Sequence, residues 1–310
     1  MSGRFDADWL ALREPFDHAA RSLHLARRLA ERLPARPRLM DLGAGTGSMF
    51  RFLAPIIGRG QDWTLVDADA ALLDDAFGRT AAWARRQHFA ATSDGDALLV
   101  STPRGLWRMR ALHSELQWGG WRPLPLPPSR KGRGRAPNAP AAPTAPAVPT
   151  ASAVPTALAG SDIDAVVCSA LLDLVSARYL ERLFEELAVP FLACLTVDGR
   201  DAWLPHHPSD APVRAAFRRD QRRDKGFGPA LGTAAPAFAL RSLAARGFVT
   251  ASAPSDWRIP RMALRMQRAL IEGRGLRDGT WQEARLRQAM RGRLAITIGH
   301  RDILAFPPGG

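Results

Sequence analysis

Apolar positions in residues 6–33 recur at helical spacing, at Leu12, Phe16, Leu23, Leu25 and Leu29, with proline at positions 15 and 34. Two helices are expected there, parted near Pro15. Beyond them the pattern changes to short apolar runs alternating with helical stretches. Strands are expected at residues 38–42, 63–67, 164–168, 190–197 and 248–253, and helices at 48–57, 70–87, 177–187, 234–245, 261–271 and 281–291. Residues 97–100 and 106–112, around Pro103-Arg104-Gly105, form a hairpin or one bent strand, and 294–298 with 303–306 gives a closing strand or strand pair.

One segment breaks the pattern. Residues 122–160 hold ten prolines, ten alanines, five basic residues and no acid, so they cannot bury enough apolar area to offset the entropy of ordering them. A disordered, partly polyproline-like insertion is expected, centred on 136–156. Strands alternate with helices on both sides of it. That alternation favours one doubly wound α/β domain with an insertion over two independent domains.

Composition narrows the setting. At 310 residues and 46% hydrophobic content, the chain has material for a large core. Cys168 and Cys194 are too few for a disulfide framework and lie in apolar runs, which suits reduced, buried thiols in a cytoplasmic protein. No apolar run reaches the length of a membrane-spanning helix, and no membrane partner is expected.

The net charge of +13 points toward nucleic acid, yet only Lys131 and Lys225 are lysine among 43 basic residues. Arginine in such excess, beside abundant alanine and proline, fits a coding bias. The insertion carries five of the charges, which leaves +8 (13 minus 5) on the remainder. A nucleic-acid partner is therefore not favoured.

The sharpest chemical signal is Met40-Asp41-Leu42-Gly43-Ala44-Gly45-Thr46-Gly47, a glycine-rich turn between a strand and a helix. Such a turn lets backbone N–H groups approach a ligand closely. Asp67 ends the next strand, where a carboxylate can receive both hydroxyls of a ribose. A dinucleotide fingerprint needs its third glycine one residue later, where Ser48 stands. Asp41 would repel a pyrophosphate and suits an ammonium group instead, which S-adenosylmethionine carries without any phosphate.

Asp-x-Gly-x-Gly-x-Gly after a first strand, with an acid closing the second, resembles the cofactor-binding half of class I S-adenosylmethionine-dependent methyltransferases. The strand order extends the resemblance over roughly residues 38–306 without the insertion. It implies a mostly parallel, seven-stranded Rossmann-like sheet whose last strands are antiparallel. Residues 1–37 are then expected to form an N-terminal helical lid, 38–306 the methyltransferase domain interrupted by 122–160, and 307–310 a tail.

Residue by residue, the resemblance implies that Asp41, Gly43, Gly45 and Gly47 surround the methionine part of the cofactor. Asp67 holds the ribose and Ala68 flanks the adenine. Either Glu115 or Asp96 meets the adenine amino group, Glu115 being preferred. Ser169, opening Ser169-Ala-Leu-Leu-Asp-Leu174, faces the methyl group and the acceptor. That block, with Thr196-Val-Asp-Gly-Arg200, the run from Arg222 to Gly232 and Gly299-His-Arg-Asp302, resembles a bacterial subgroup of the family whose acceptor is unassigned.

In-line methyl transfer depends chiefly on alignment, and a base is needed only where the acceptor arrives protonated. Candidates for that base are His206 and His207, and Lys225 is a further catalytic candidate that could pair with an acidic acceptor or with Asp224. In the lid, Arg13 is a candidate for the methionine carboxylate. No metal is expected, because the two cysteines and His206-His207 lack ligand spacing. The reading is methyl transfer from S-adenosylmethionine to a small-molecule acceptor. The alternatives are an RNA or protein methyltransferase, or a catalytically idle member that binds cofactor or partner. Oligomeric state is not legible.

Overall fold

The computed structural model describes residues 6–114, 116, 162–274 and 279–309. Glu115 and the expected insertion 122–160 lie outside them. The chain opens with α1 (Ala7–Ala20) and α2 (Leu23–Arg32), followed by β1 (Arg38–Leu42), α3 (Ser48–Ile57), β2 (Gln61–Asp67) and α4 (Ala70–Arg86). Next come β3 (Ala90–Asp94), β4 (Ala97–Thr102), β5 (Gly105–His113), β6 (Ala165–Ser169), α5 (Ala177–Glu186) and β7 (Phe191–Leu204). The remainder is α6 (Asp210–Gln221), α7 (Ala235–Ala245), β8 (Val249–Pro254), β9 (Trp257–Ile259), α8 (Leu264–Glu272), α9 (Gly279–Met290) and β10 (Ala295–Phe306).

One sheet runs β3-β4-β5-β2-β1-β6-β7-β10-β8, with β9 paired to β10. Its core is the seven-strand arrangement β5-β2-β1-β6-β7-β10-β8. The strands from β5 to β7 are parallel, and β10 is antiparallel to both neighbours. The β3–β4 hairpin extends one edge. Strand order reverses between β1 and its neighbours β2 and β6, which opens a crevice at the carboxyl ends of these strands.

Side-chain alternation decides what each face covers. Leu39 packs with Leu29 of α2, Leu53 of α3 and Leu65. Met40 and Leu42 pack on the other face with Val166, Leu180 and Leu183 of α5 and Leu243 of α7. Asp41 therefore points to the α2–α3 face, the one polar residue among the four buried positions of the strand.

Two expectations are corrected and one alternative is decided. Pro15 does not part the first two helices; α1 passes through it and ends where Arg21 turns extended. There Ser22 caps α2 by accepting from the Leu25 N–H at 3.3 Å, while its own N–H donates to Asp302 at 2.7 Å. Of the two alternatives for the closing segment the structure has the single strand, the bulged β10, whose Gly299 is required because a Cβ would collide with Asp198 Oδ1. Finally, β7 continues seven residues past the expected end. Its second half pairs with β10 alone, beyond the Leu195 bulge where the chain leaves β6.

The nine residues after Leu195 carry β7 about 30 Å outward at ~3.3 Å per residue. Together with β9, α6, α8 and α9 they form an arm built around Trp203, Trp257, Ile259, Met266 and Trp281.

Candidate functional site

The turn after β1 holds its shape through three glycines at positive φ, +66° at Gly43, +52° at Gly45 and +79° at Gly47. The N–H groups of Gly43 and Ala44 donate to the Val66 carbonyl at 2.9 and 3.0 Å, and that of Gly45 donates to Asp67 Oδ2 at 2.7 Å. Asp67 Oδ1 accepts from the Asp69 N–H at 2.9 Å. The turn is thus sewn to the end of β2, and Asp67 is oriented by backbone rather than by a cation.

At Gly47 a Cβ would stand 3.3 Å from both Ala76 Cβ and Arg51 Nη1. Gly47→Ala is expected to lower stability by about 1–3 kcal/mol, measured by urea unfolding, because the left-handed backbone and the crowding both oppose a side chain.

Arg51 of α3 locks this turn to α1. Its Nε and Nη2 donate to Glu14 Oε1 and Oε2 at 2.6 and 2.7 Å, and Nη1 donates to the Thr46 carbonyl at 2.7 Å and Thr80 Oγ1 at 3.1 Å. Burial works to raise the Glu14 carboxyl. The bonds and charge of Arg51 outweigh it and hold Glu14 below the ordinary carboxylate range.

A cleft of about 280 Å³ opens at the crevice, lined by Gly43, Gly45, Asp67, Ala68 and Ser169. From α1 come Leu10 and Arg13, and Leu72, Leu116, Leu171, Leu174 and Phe227 complete its apolar walls. It shares Arg13, Gly43, Gly45 and Ser169 with a recess of about 60 Å³ that reaches Asp41, Arg21, Thr46 and Ser48. Six of the eight residues expected at the cofactor therefore border one continuous space. Gly47 stands behind the turn, and Glu115 lies outside the described residues.

The other candidates are placed elsewhere. Asp96 sits in the β3–β4 turn, 3.8 Å from the Arg110 guanidinium and away from the cleft lining. His206 and His207 follow β7 at the tip of the arm, where the His207 N–H donates to Asp210 at 2.9 Å. Lys225 is exposed, while Phe227 of the same loop reaches the cleft.

The recess has an unusual electrostatic balance. Asp41 is 1% exposed, and neither carboxylate oxygen has a hydrogen-bond partner. Burial pushes its carboxyl up to about 8; the charge of Arg21 opposes the shift and that of Asp67 adds to it. Arg21, itself buried, donates to the Ser48 carbonyl at 3.2 Å, to Ser48 Oγ at 3.1 Å and to Ser169 Oγ at 2.9 Å. Burial also raises Asp67, against the N–H groups that favour its charge. Arg13 donates to Asp17 at 3.0 Å and lies 4.9 Å above the Trp257 ring.

Ala170, just past β6, and Leu195, at the bulge within β7, adopt φ of +53° and +57°, a strained backbone held by the Ala170 N–H to the Cys194 carbonyl at 2.9 Å. Asp173, three residues past Ala170, is also buried, with Oδ1 lacking a partner. Burial lifts its carboxyl to about 6 against the Val197 N–H and the charges of Arg13 and Lys225. In sequence it stands within residues 169–174, where nothing local marks it.

Of the four later blocks, 169–174 and Phe227 reach the cleft. Asp198 and Arg200 instead form a clasp with Asp256, Arg200 donating to it at 2.7 Å. Asp302 is a structural pin, accepting from the N–H groups of Leu195 at 2.8 Å and Ser22 at 2.7 Å. His300 packs 4.9 Å from Trp257, and burial pushes it down to about 4.

No protein-family model matches the chain. Over 81 residues it is 42% identical to the biotin biosynthesis bifunctional protein BioCD of Bordetella avium, which is 24% of this chain; the match spans only 17% of that protein's length. Among solved structures, it is similar to a methyltransferase from Thiobacillus denitrificans in complex with S-adenosylhomocysteine (15% identity, 98% and 99% of the two chains, TM-score 0.41). It is also similar to the YcgJ protein of Bacillus subtilis (13%, 93% and 100%, TM-score 0.41). A third similarity is to geranyl diphosphate C-methyltransferase of Streptomyces coelicolor (15%, 91% and 79%, TM-score 0.35).

Proposed function

We propose that this chain is an S-adenosylmethionine-dependent methyltransferase acting on a small-molecule acceptor. The observation that carries the reading is the pair of carboxylates on either side of the glycine turn, Asp41 buried and Asp67 half-buried. Asp67 is oriented by backbone N–H groups at the mouth of the cleft, and Asp41 is orphaned in the recess behind it. A nucleoside attached to an amino acid fits both. Its ribose hydroxyls donate to Asp67, and its ammonium donates to Asp41, whose unpaired oxygens otherwise have no reason to be buried.

The recess also supplies cations for the amino acid's carboxylate, Arg13 at its rim and Arg21 at its wall. Ala68 and Leu72 offer an apolar wall to the base, and Ser169 and Ala170 border the junction of cleft and recess. S-Adenosylmethionine, when bound, supplies an activated methyl group; the chain's work is to align it and to exclude water. Leu171, Leu174 and Phe227 make the remaining wall apolar, which suits a small acceptor with hydrocarbon surface.

Calorimetry with S-adenosylhomocysteine tests the reading. Wild-type protein is expected to bind it, and Asp67→Ala to weaken binding about 10- to 100-fold, the value of one or two hydrogen bonds to a charged group. No heat of binding, or an unchanged Kd in the variant, overturns the proposal.

A further inference from the structure

The arm ends in a surface that the cofactor reading leaves unused. Four of the seven large apolar side chains exposed among the described residues belong to it: Met262 at 87%, Met290 at 68%, Leu204 at 59% and Leu264 at 44%. They come from different elements, and the structure gathers those elements at one end. Leu204 pairs with Ala295, and the neighbouring Ile296 pairs with Ile259, so the end of β7, the start of β10 and the end of β9 lie side by side. Gln267 donates to the carbonyls of Pro260 and Leu294, both at 2.8 Å, which joins the turn carrying Met262 to the segment that follows Met290.

Charge separates this end from the rest of the arm. Arg261, Arg265, Arg291 and Arg293 stand exposed around the apolar tips, and none has an acidic partner among the described residues. The acids nearby are already engaged, Glu272 with Arg268 and Glu283 with Arg287. In the interior of the arm arginine is matched, Arg274 with Asp201 and Arg285 with Asp210. What sets this end apart is the coincidence of four exposed arginines with exposed methionine and leucine on adjoining segments.

Two physical requirements follow for whatever covers this end. It must offer anions to the arginines and, a few ångströms deeper, apolar volume for separate flexible side chains. A nucleic acid meets the first requirement only, since its phosphates give nothing to Met262, Met290 and Leu264. A lipid headgroup layer meets both. We propose that the tip of the arm docks on an anionic membrane surface, with Met262, Met290, Leu204 and Leu264 entering the headgroup layer and the four arginines held at its phosphates.

No helix among the described residues is long and apolar enough to cross a bilayer, and the contact is peripheral. It departs from the expectation of no membrane partner, which rested on the absence of a spanning segment. Contact of this kind is independent of the cofactor reading.

The test is flotation of the full chain with vesicles of phosphatidylcholine containing about one third phosphatidylglycerol, against pure phosphatidylcholine. Wild-type protein is expected to float with the anionic vesicles alone, and less at high salt. Met262→Asp with Met290→Asp is expected to weaken binding at least about tenfold, as is Arg261→Glu with Arg293→Glu. Arg85→Glu with Arg86→Glu, at the end of α4 in the opposite half of the sheet, is expected to change it little. All four side chains at the tip are exposed, so these variants should unfold in urea at the wild-type midpoint, and their affinity for S-adenosylhomocysteine reports separately on the cleft. Absence of flotation, or flotation that survives the methionine substitutions, overturns the proposal. So does an equal loss from the α4 pair, or capture by single-stranded RNA that ignores the methionine changes.

Discussion

Binding of S-adenosylhomocysteine at pH 7 is expected to expel about 0.9 proton from the protein, because Asp41 enters the complex ionised and leaves the free state protonated. In the free protein its carboxyl lies at about 8: burial without a partner raises it, Asp67 on β2 adds repulsion, and Arg21 at the end of α1 opposes both incompletely. An ammonium placed against those oxygens supplies the missing partner. Affinity is then expected to rise about tenfold per pH unit between roughly pH 6 and 7.5.

Titrations at pH 7 in phosphate and in Tris should differ in apparent enthalpy by the released proton times the difference in buffer ionisation heats. Asp41→Asn keeps the shape and is expected to abolish both the buffer dependence and the pH slope. Identical enthalpies in the two buffers for wild-type protein would refute the assignment of Asp41 to the ammonium.

The same group has a consequence for stability, with the opposite sign in pH. The unfolded chain loses the Asp41 proton near pH 4, whereas the folded free protein keeps it up to about 8. Between those values the unfolded state binds fewer protons, so this group makes stability fall as pH rises. Asp41→Asn should flatten that part of the stability profile.

The cofactor half was legible because its signals are local. The strand at 38–42, the glycine turn and the helix at 48–57 follow from a buried apolar run, three glycines and a further apolar stretch adjacent in sequence. Asp67 is marked by its place at the end of the next strand. By contrast, Glu14 and Arg51 meet across 37 residues, and Arg13 reaches the cleft only because that ion pair docks α1. Nothing local in either residue announces the contact.

The arm was hidden for another reason. Past Val197 strand β7 reads Asp-Gly-Arg-Asp-Ala-Trp-Leu, and α6 reads Asp-Ala-Pro-Val-Arg-Ala-Ala-Phe-Arg-Arg-Asp-Gln, so neither shows the run or period of a buried element. Their stability comes from pairing with β10 and from a few tryptophans. A loop at His206-His207 was therefore expected near the crevice, and the extended strand carries both residues away from it.

How strongly the arm is held can be measured at Asp210, where loss of one carboxylate is expected to cost about 3–5 kcal/mol. Arg285 of α9 has no exposed side-chain surface; it is paired with Asp210, which also accepts from Trp281 Nε1 and the His207 N–H, each at 2.9 Å. Burial works to raise the Asp210 carboxyl, and the bonds from Arg285, Trp281 and His207 hold it below its ordinary value. Its contribution is therefore present above about pH 4 and lost as pH falls through the lowered folded value.

Asp210→Ala leaves a buried guanidinium facing the Trp203 and Trp281 rings without a counter-charge. Adding Arg285→Met removes that charge and fills much of its volume. The double variant is expected to lose less than half of what Asp210→Ala loses, a coupling readable from urea midpoints at pH 7. If the losses simply add, the pair is not what fastens α6 to α9, and the arm's cohesion lies in its tryptophans instead.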